Sequence, residues 1–150
     1  MKKMILKDEA YYQIEWSPFM RYDRHTLARL MPDVSGLTGF FYKKHDKYIP
    51  TLFLECWRDG LRDGIKNFME PFFIKYKDLR EKVDMEEVHI SYTIITTSTK
   101  DLRDILFYLI RTYKPANNSQ LFTHSGRYQN VHVSEKQSTS FDGLDEKKVY

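Results

Sequence analysis

With 150 residues, 41% of them hydrophobic and 30% charged, the chain has the size and composition of one globular domain with its own core rather than two. Its 24 Lys and Arg are dispersed among 21 Asp and Glu, leaving a net charge of +3, a weak pull toward anions with no basic stripe readable. A single cysteine, Cys56, excludes an intramolecular disulfide and fits a reducing compartment, and no apolar run suits a signal peptide or a membrane span; a cytoplasmic location and no membrane partner are expected.

Aromatic residues reach 15%, which predicts a core or a face rich in rings. Tyr11 to Trp16 reads as a short strand or as an extended lead-in packing its rings on the core. Asp23 is placed to cap a short helix carrying Leu27, Leu30 and Met31 on one face, and Pro32 stops it. Gly36 to Lys44 and His45 to Trp57 are two apolar runs about a polar turn, hence a β-hairpin, with Pro50 near the start of its strand or on a free edge. Asp59 is the candidate N-cap of a helix whose Leu61, Ile65, Phe68 and Met69 fall at helical spacing. Gly64 sits mid-helix, at a cost of about 1 kcal/mol relative to Ala, so a close neighbour is expected there.

After Pro71, the charged run Lys75 to Glu87 reads as an exposed helix turning Tyr76, Leu79 and Val83 inward. Val88, Ile90, Tyr92 and Ile94 alternate with His89, Ser91 and Thr93, the pattern of a strand with one face in the core. Ser98, with Asp101 three residues on, opens a helix whose Leu102, Ile105, Leu106, Leu109, Ile110 and Tyr113 form one apolar stripe, ended by Pro115. From Asn117 to Tyr150 the chain is polar and reads as a loosely attached tail, to which Arg127 to Ser134 contributes an edge strand. The order is that of an α+β domain with a small central sheet, without internal repeat or linker.

Four short phrases coincide with a known family: Gly36-Leu37-Thr38 after a proline-containing lead-in, Leu54-Glu55-Cys56 on the next strand, GLRDGI at Gly60 to Ile65, and LIRTYKPANN at Leu109 to Asn118. The chain resembles the GIY-YIG nuclease domain over roughly Pro32 to Asn118. That resemblance implies a small three-stranded antiparallel sheet flanked by helices. Residues 1–31 would then be a lead-in with a short helix, 32–118 the core, and 119–150 a polar tail.

The family cuts phosphodiesters with one divalent metal on a glutamate of the last helix, a tyrosine of the hairpin that activates water, and an arginine of the first helix that stabilises charge on phosphorus. Carried over by alignment, the tyrosine positions fall on Thr38 and Leu54, the arginine on Gly64 and the glutamate on Leu106. Only the asparagine after the final proline persists, as Asn118. The alignment predicts that Thr38, Gly64 and Leu106 line one cleft.

The leading expectation is therefore a non-catalytic GIY-YIG-like domain without cofactor. It would contact a nucleic acid or a protein around Thr38, Glu55, Arg58, Arg62 and Asn118. Two alternatives stand beside it. One is a divergent nuclease holding Mg or another divalent metal through Glu55 or Asp104; the other is a homo-oligomeric protein-interaction module using its rings.

Other groupings have bland readings. His25, His45, His89, His124 and His132 lack metal-ligand spacing, although His89, His124 and His132 would converge if the tail folded back on the third strand. Cys56 is a buried small residue or a nucleophile paired with a histidine. Arg58 and Arg62 flank a helix start suited to phosphate, yet Asp59 and Asp63 beside them suit a solvated face with local ion pairs. Tyr11 to His25, with Arg21 and Arg24, suits stacking on single-stranded nucleic acid, a protein contact, or packing across the sheet.

Overall fold

Alternating side chains build sheets here, and they build two. The computed structural model describes residues 1–23, 25, 29–70, 88–118 and 123–141. Among these the strands are Lys2–Leu6 (β1), Glu9–Trp16 (β2), Met20–Arg21 (β3), Gly36–Lys44 (β4), Lys47–Cys56 (β5), Val88–Ile94 (β6) and Asn130–Gln137 (β7). The helices are Gly60–Met69 (α1) and Thr99–Tyr113 (α2). The α+β class holds. The single three-stranded sheet does not: there is a four-stranded antiparallel sheet, ordered β3-β6-β4-β5, and a three-stranded mixed one, ordered β1-β2-β7. Of the extra strands, β1 and β7 carry weak alternation, since β1 is exposed throughout and β7 buries only Val133. Parallel pairing of β7 with β2 joins residues 9–16 to 130–137, a long-range register with no local signature in the sequence.

The β4–β5 hairpin turns at His45 and Asp46, whose φ values of 50° and 64° are those of a two-residue turn matched to strand twist. β5 is an edge strand, which is where Pro50 is tolerated. A bulge beside it leaves Thr51 opposite no single partner, and its hydroxyl donates to the Phe40 carbonyl at 3.0 Å.

Asp59 does precede α1, but its carboxylate caps nothing, because its backbone is helical (φ −93°) rather than extended. The Leu61 N–H instead donates to the Val34 carbonyl at 2.8 Å, and Gly60 supplies the φ of +80° that this entry needs. Gly64 has the close neighbour expected: a Cβ there would stand 2.9 Å from Cys56 Sγ. At α2 the Ser98 hydroxyl accepts from the Asp101 N–H at 3.0 Å, and Lys114 at φ 47° with Pro115 closes the helix. Asp23 accepts from the His25 N–H at 3.3 Å, and Met31 is buried. Arg24, Leu27 and the expected helix with Tyr76, Leu79 and Val83 lie outside the described residues.

The four-stranded sheet is covered on both faces. One face (Phe40, Leu52, Cys56, Ile90, Tyr92) lies under Leu61, Ile65 and Met69 of α1. The other (Leu37, Phe41, Phe53) lies under Leu102, Ile105, Leu106 and Leu109 of α2, which also meet Tyr12, Ile14 and Trp16 of β2. Helix α2 thus wedges between the two sheets. Buried Ser17 joins them: its N–H donates to the Tyr92 carbonyl (2.7 Å), its hydroxyl accepts from the Tyr92 N–H (2.9 Å), and the Ser91 hydroxyl donates to its carbonyl (2.7 Å). No helix among the described residues is long and apolar enough to cross a membrane.

Candidate functional site

The four aligned catalytic positions do not share a cleft. Thr38 and Leu54 are cross-strand partners, and Thr38, fully buried, faces Cys56 Sγ at 4.0 Å beneath Gly64. Those three positions lie on the α1 face of the sheet. Leu106 belongs to the apolar cluster on the α2 face, with Leu37 and Phe53. Strand alternation turns Leu37 and Thr38 to opposite faces, and β2 and β7 hold α2 on the side of Leu37. No long side chain fits at position 64, because Cys56 fills its place.

The residues around those positions are committed to structure. The Arg62 Nε–H donates to the Met31 carbonyl at 3.0 Å, tying α1 to the preceding loop, while Arg58 is exposed. Among the described residues no ion pair joins Arg58 or Arg62 to Asp59 or Asp63. Asn118 acts as a short extra strand on the free edge of β5: its Oδ1 accepts from the Phe53 N–H at 2.6 Å and its Nδ2 donates to the Phe53 carbonyl at 3.1 Å. Glu55 Oε1 accepts from the Trp57 N–H at 2.8 Å. Burial pushes the Cys56 thiol up to about 12, against a smaller opposing effect of the Thr38 hydrogen bond, so it is no nucleophile near neutral pH.

Asp104 is fully buried, and its oxygens accept from the Ser125 N–H (2.7 Å), the Ser125 hydroxyl (2.8 Å) and Arg127 Nη2 (3.1 Å). Asp101 beside it accepts from Lys3 (2.8 Å), Tyr12 Oη (2.8 Å), Thr97 Oγ1 (2.6 Å) and Arg127 (2.9 Å). Burial alone would raise the Asp101 carboxyl, but the hydrogen bonds from Lys3, Thr97, Arg127 and Tyr12 outweigh it and hold it well below the usual carboxylate range. This cluster latches β1, β2 and the segment after residue 123 onto the start of α2. The described part of the tail is therefore pinned by charge and by β7 rather than loose.

The histidines do not converge, because β7 pairs with β2 and not with β6. His89 meets the Tyr48 ring, His124 Nδ1 accepts from the Gly126 N–H at 2.9 Å, and His132 lies on Tyr11 with its Nε2 3.0 Å from Glu9. Among the described residues no three His, Cys, Asp or Glu side chains gather as a metal site. The aromatics of the lead-in mostly pack inward, with Tyr12 and Trp16 buried.

What the sequence reading missed lies on the outer face of α2. Lys100, Arg103, Phe107 and Arg111 follow at spacings of three, four and four, which puts them on one helix face, and Lys114 comes at its end. All four cations are exposed and Phe107 is half-buried. Two open hollows of about 490 Å³ each flank this stripe. Glu55, Lys100, Arg103 and Leu106 line the first, and Phe107, Arg111, His124 and Tyr128 line the second. The spacing was legible; what hid the stripe was Asp101 and Asp104 interleaved with it, which the fold buries.

These features define an α+β protein with a helix-borne basic and aromatic face and two structural aspartates. The chain belongs to a protein family whose model matches residues 1–148 and whose description reads "Uncharacterised protein". No curated protein matches it. Among solved structures it is similar to the GIY-YIG N-terminal endonuclease domain of UvrC from Thermotoga maritima, in two tyrosine-to-phenylalanine point mutants bound to the catalytic divalent cation. The first shows 17% identity over 67% of this chain and 100% of that one, with a TM-score of 0.47. The second shows 15% identity over the same shares, with a TM-score of 0.46.

Proposed function

We propose that this chain is a non-catalytic, GIY-YIG-like nucleic-acid-binding module that grips a phosphate backbone along the outer face of α2. The observation that carries this reading is the stripe of Lys100, Arg103 and Arg111, extended by Lys114, beside the half-buried Phe107 ring. From Lys100 to Arg111 the helix rises about 16 Å, enough for cations to meet several successive phosphates while the half-buried Phe107 ring lies beside them for a base to stack on. The non-catalytic part is supported by the aligned positions, which offer a buried hydroxyl, two leucines and a glycine backed by sulfur, none able to hold a metal or stabilise phosphorane charge.

Fluorescence anisotropy with single-stranded and duplex oligonucleotides, titrated with salt, tests it. Binding should weaken with a log–log salt slope of about −2 to −3 on single strands and about −3 to −4 on duplex, from three to four phosphate contacts. Lys100→Glu with Arg111→Glu should reduce affinity by about tenfold or more. Unchanged binding in that double variant, or none at low salt, would overturn the reading. Cleavage in Mg or Mn that is abolished by Glu55→Ala would replace it with the nuclease.

One observation favours the homo-oligomeric reading. Met4, Ile5 and Leu6 are 59%, 53% and 58% exposed on β1, an edge strand. Lys2 and Lys3 on the same strand oppose self-pairing. A dimer in light scattering, lost in Ile5→Lys and indifferent to oligonucleotides, would favour that reading.

A further inference from the structure

A cavity of about 170 Å³ lies between the two sheets at the C-terminal end of α2, and rings make most of its wall. Trp16, Phe19, Phe41, Tyr48, Phe53 and Tyr113 line it, drawn from β2, the segment after it, both strands of the hairpin, and α2. They pack against one another around its floor. Phe19 stands at 90° to Phe41 (4.9 Å), Phe41 at 87° to Phe53 (6.3 Å), Phe53 at 46° to Tyr113 (5.9 Å) and Trp16 at 37° to Phe53 (6.1 Å). Only Phe19 and Tyr48 lie flat on one another, at 3.8 Å. Tilted against one another, these rings form the floor and sides of a hollow that stays open to solvent.

The one charged side chain in that wall is Glu135 of β7. Its two oxygens are oriented by the rings, Oε1 accepting from Trp16 Nε1 at 2.8 Å and Oε2 from Tyr113 Oη at 2.6 Å. Both donors are neutral, and among the described residues no cationic side chain pairs with it. The exposed carboxylate is thereby fixed in orientation at the mouth of the ring-lined hollow.

From this geometry we infer that the cavity is a binding site for a methylated ammonium group, with the aromatic rings as its cage and Glu135 as its counter-ion. Ring faces attract a cation, and a fixed carboxylate adds charge selectivity. A strongly hydrated primary ammonium would lose water there, whereas a quaternary one carries its charge under methyl groups that suit rings. The hollow, about 170 Å³ and open to solvent, has room for the four heavy atoms of a trimethylammonium group. Two sources carry that group: a free small amine such as choline, and a trimethylated lysine side chain.

Isothermal titration calorimetry on the full chain with tetramethylammonium, choline, and a trimethyl-lysine peptide beside its unmodified form tests this. At least one trimethylammonium probe should bind saturably at one site, with the neutral isostere 3,3-dimethylbutanol about tenfold weaker or more. Preference for the trimethylated peptide over choline identifies the side-chain source; the reverse identifies the small amine. Glu135→Gln should cost about tenfold in affinity while leaving the melting temperature nearly unchanged. Its Oε1 still accepts from Trp16 and its Nε2 still donates to Tyr113 Oη. Tyr113→Ala, at a 43% exposed position, should weaken the same probes. Absence of saturable binding by every probe, equal binding of the neutral isostere, or unchanged binding by Glu135→Gln would overturn the assignment.

Discussion

Replacing Arg127 by Met removes the cation that bridges two buried carboxylates while keeping most of its apolar stem. Arg127 donates to Asp101 at 2.9 Å, to Asp104 at 3.1 Å and to the Ser125 hydroxyl at 3.1 Å. After the substitution Asp101 keeps Lys3, but Asp104, with no exposed surface, keeps among the described residues only the two neutral donors of Ser125. Removing one partner of a buried pair costs about 3–5 kcal/mol, chiefly through the charge left behind. The Arg127 side chain is 26% exposed, so water can partly replace it, which places the expected loss near the lower end, about 3 kcal/mol.

For a chain of this length that lowers the melting temperature by about 6–12 °C. Urea unfolding measures the loss, with the slope compared to confirm that only stability changed. Adding Asp104→Asn should recover part of it, because the orphaned charge disappears, with a coupling of about 1–3 kcal/mol in the double-mutant cycle. A loss below about 1 kcal/mol, or strict additivity of the two changes, would refute the view that this cluster latches the C-terminal segment onto α2.

Three further outcomes follow from the same structure. The Asp101 carboxyl is depressed in the folded chain, so its contribution to stability is present above about pH 4, the unfolded value, and is lost as pH falls toward the folded one. Urea midpoints between pH 2 and 5 should therefore fall with acidification, and more shallowly in Asp101→Asn. Gly64→Ala should destabilise by about 1–3 kcal/mol, since its Cβ would meet Cys56 Sγ at 2.9 Å and Cys56 Cβ at 3.1 Å; Cys56→Ala, which removes the sulfur, should relieve much of this in the double variant. Cys56, buried and with its thiol pushed up to about 12, should resist iodoacetamide at pH 8 in the native chain and react readily in urea; fast native labelling would contradict its placement.

Local chemistry was legible where one residue answers to its immediate neighbours. Ser98 caps α2 through the Asp101 N–H, Pro115 follows its end, and Gly64 has the tight contact that a mid-helix glycine implies. Asp59 misled because capping needs an extended backbone as well as a carboxylate, and its φ and ψ are helical. The aligned catalytic positions are separated for a reason no alignment carries: Thr38 and Leu37 are adjacent in sequence but face opposite sides of the sheet, and α2 packs on the side of Leu37.

By itself the sequence determined the α+β class, the hairpin and the two described helices, because turn chemistry and helical spacing are local. Tertiary structure alone decided that residues 130–137 pair in parallel with 9–16 and that Arg127 reaches Asp101 and Asp104. It also decided that six rings and Glu135, scattered from Trp16 to residue 135, line one open hollow. Such juxtapositions depend on long-range register, which is fixed by the burial of whole faces and leaves no mark on any short stretch of chain.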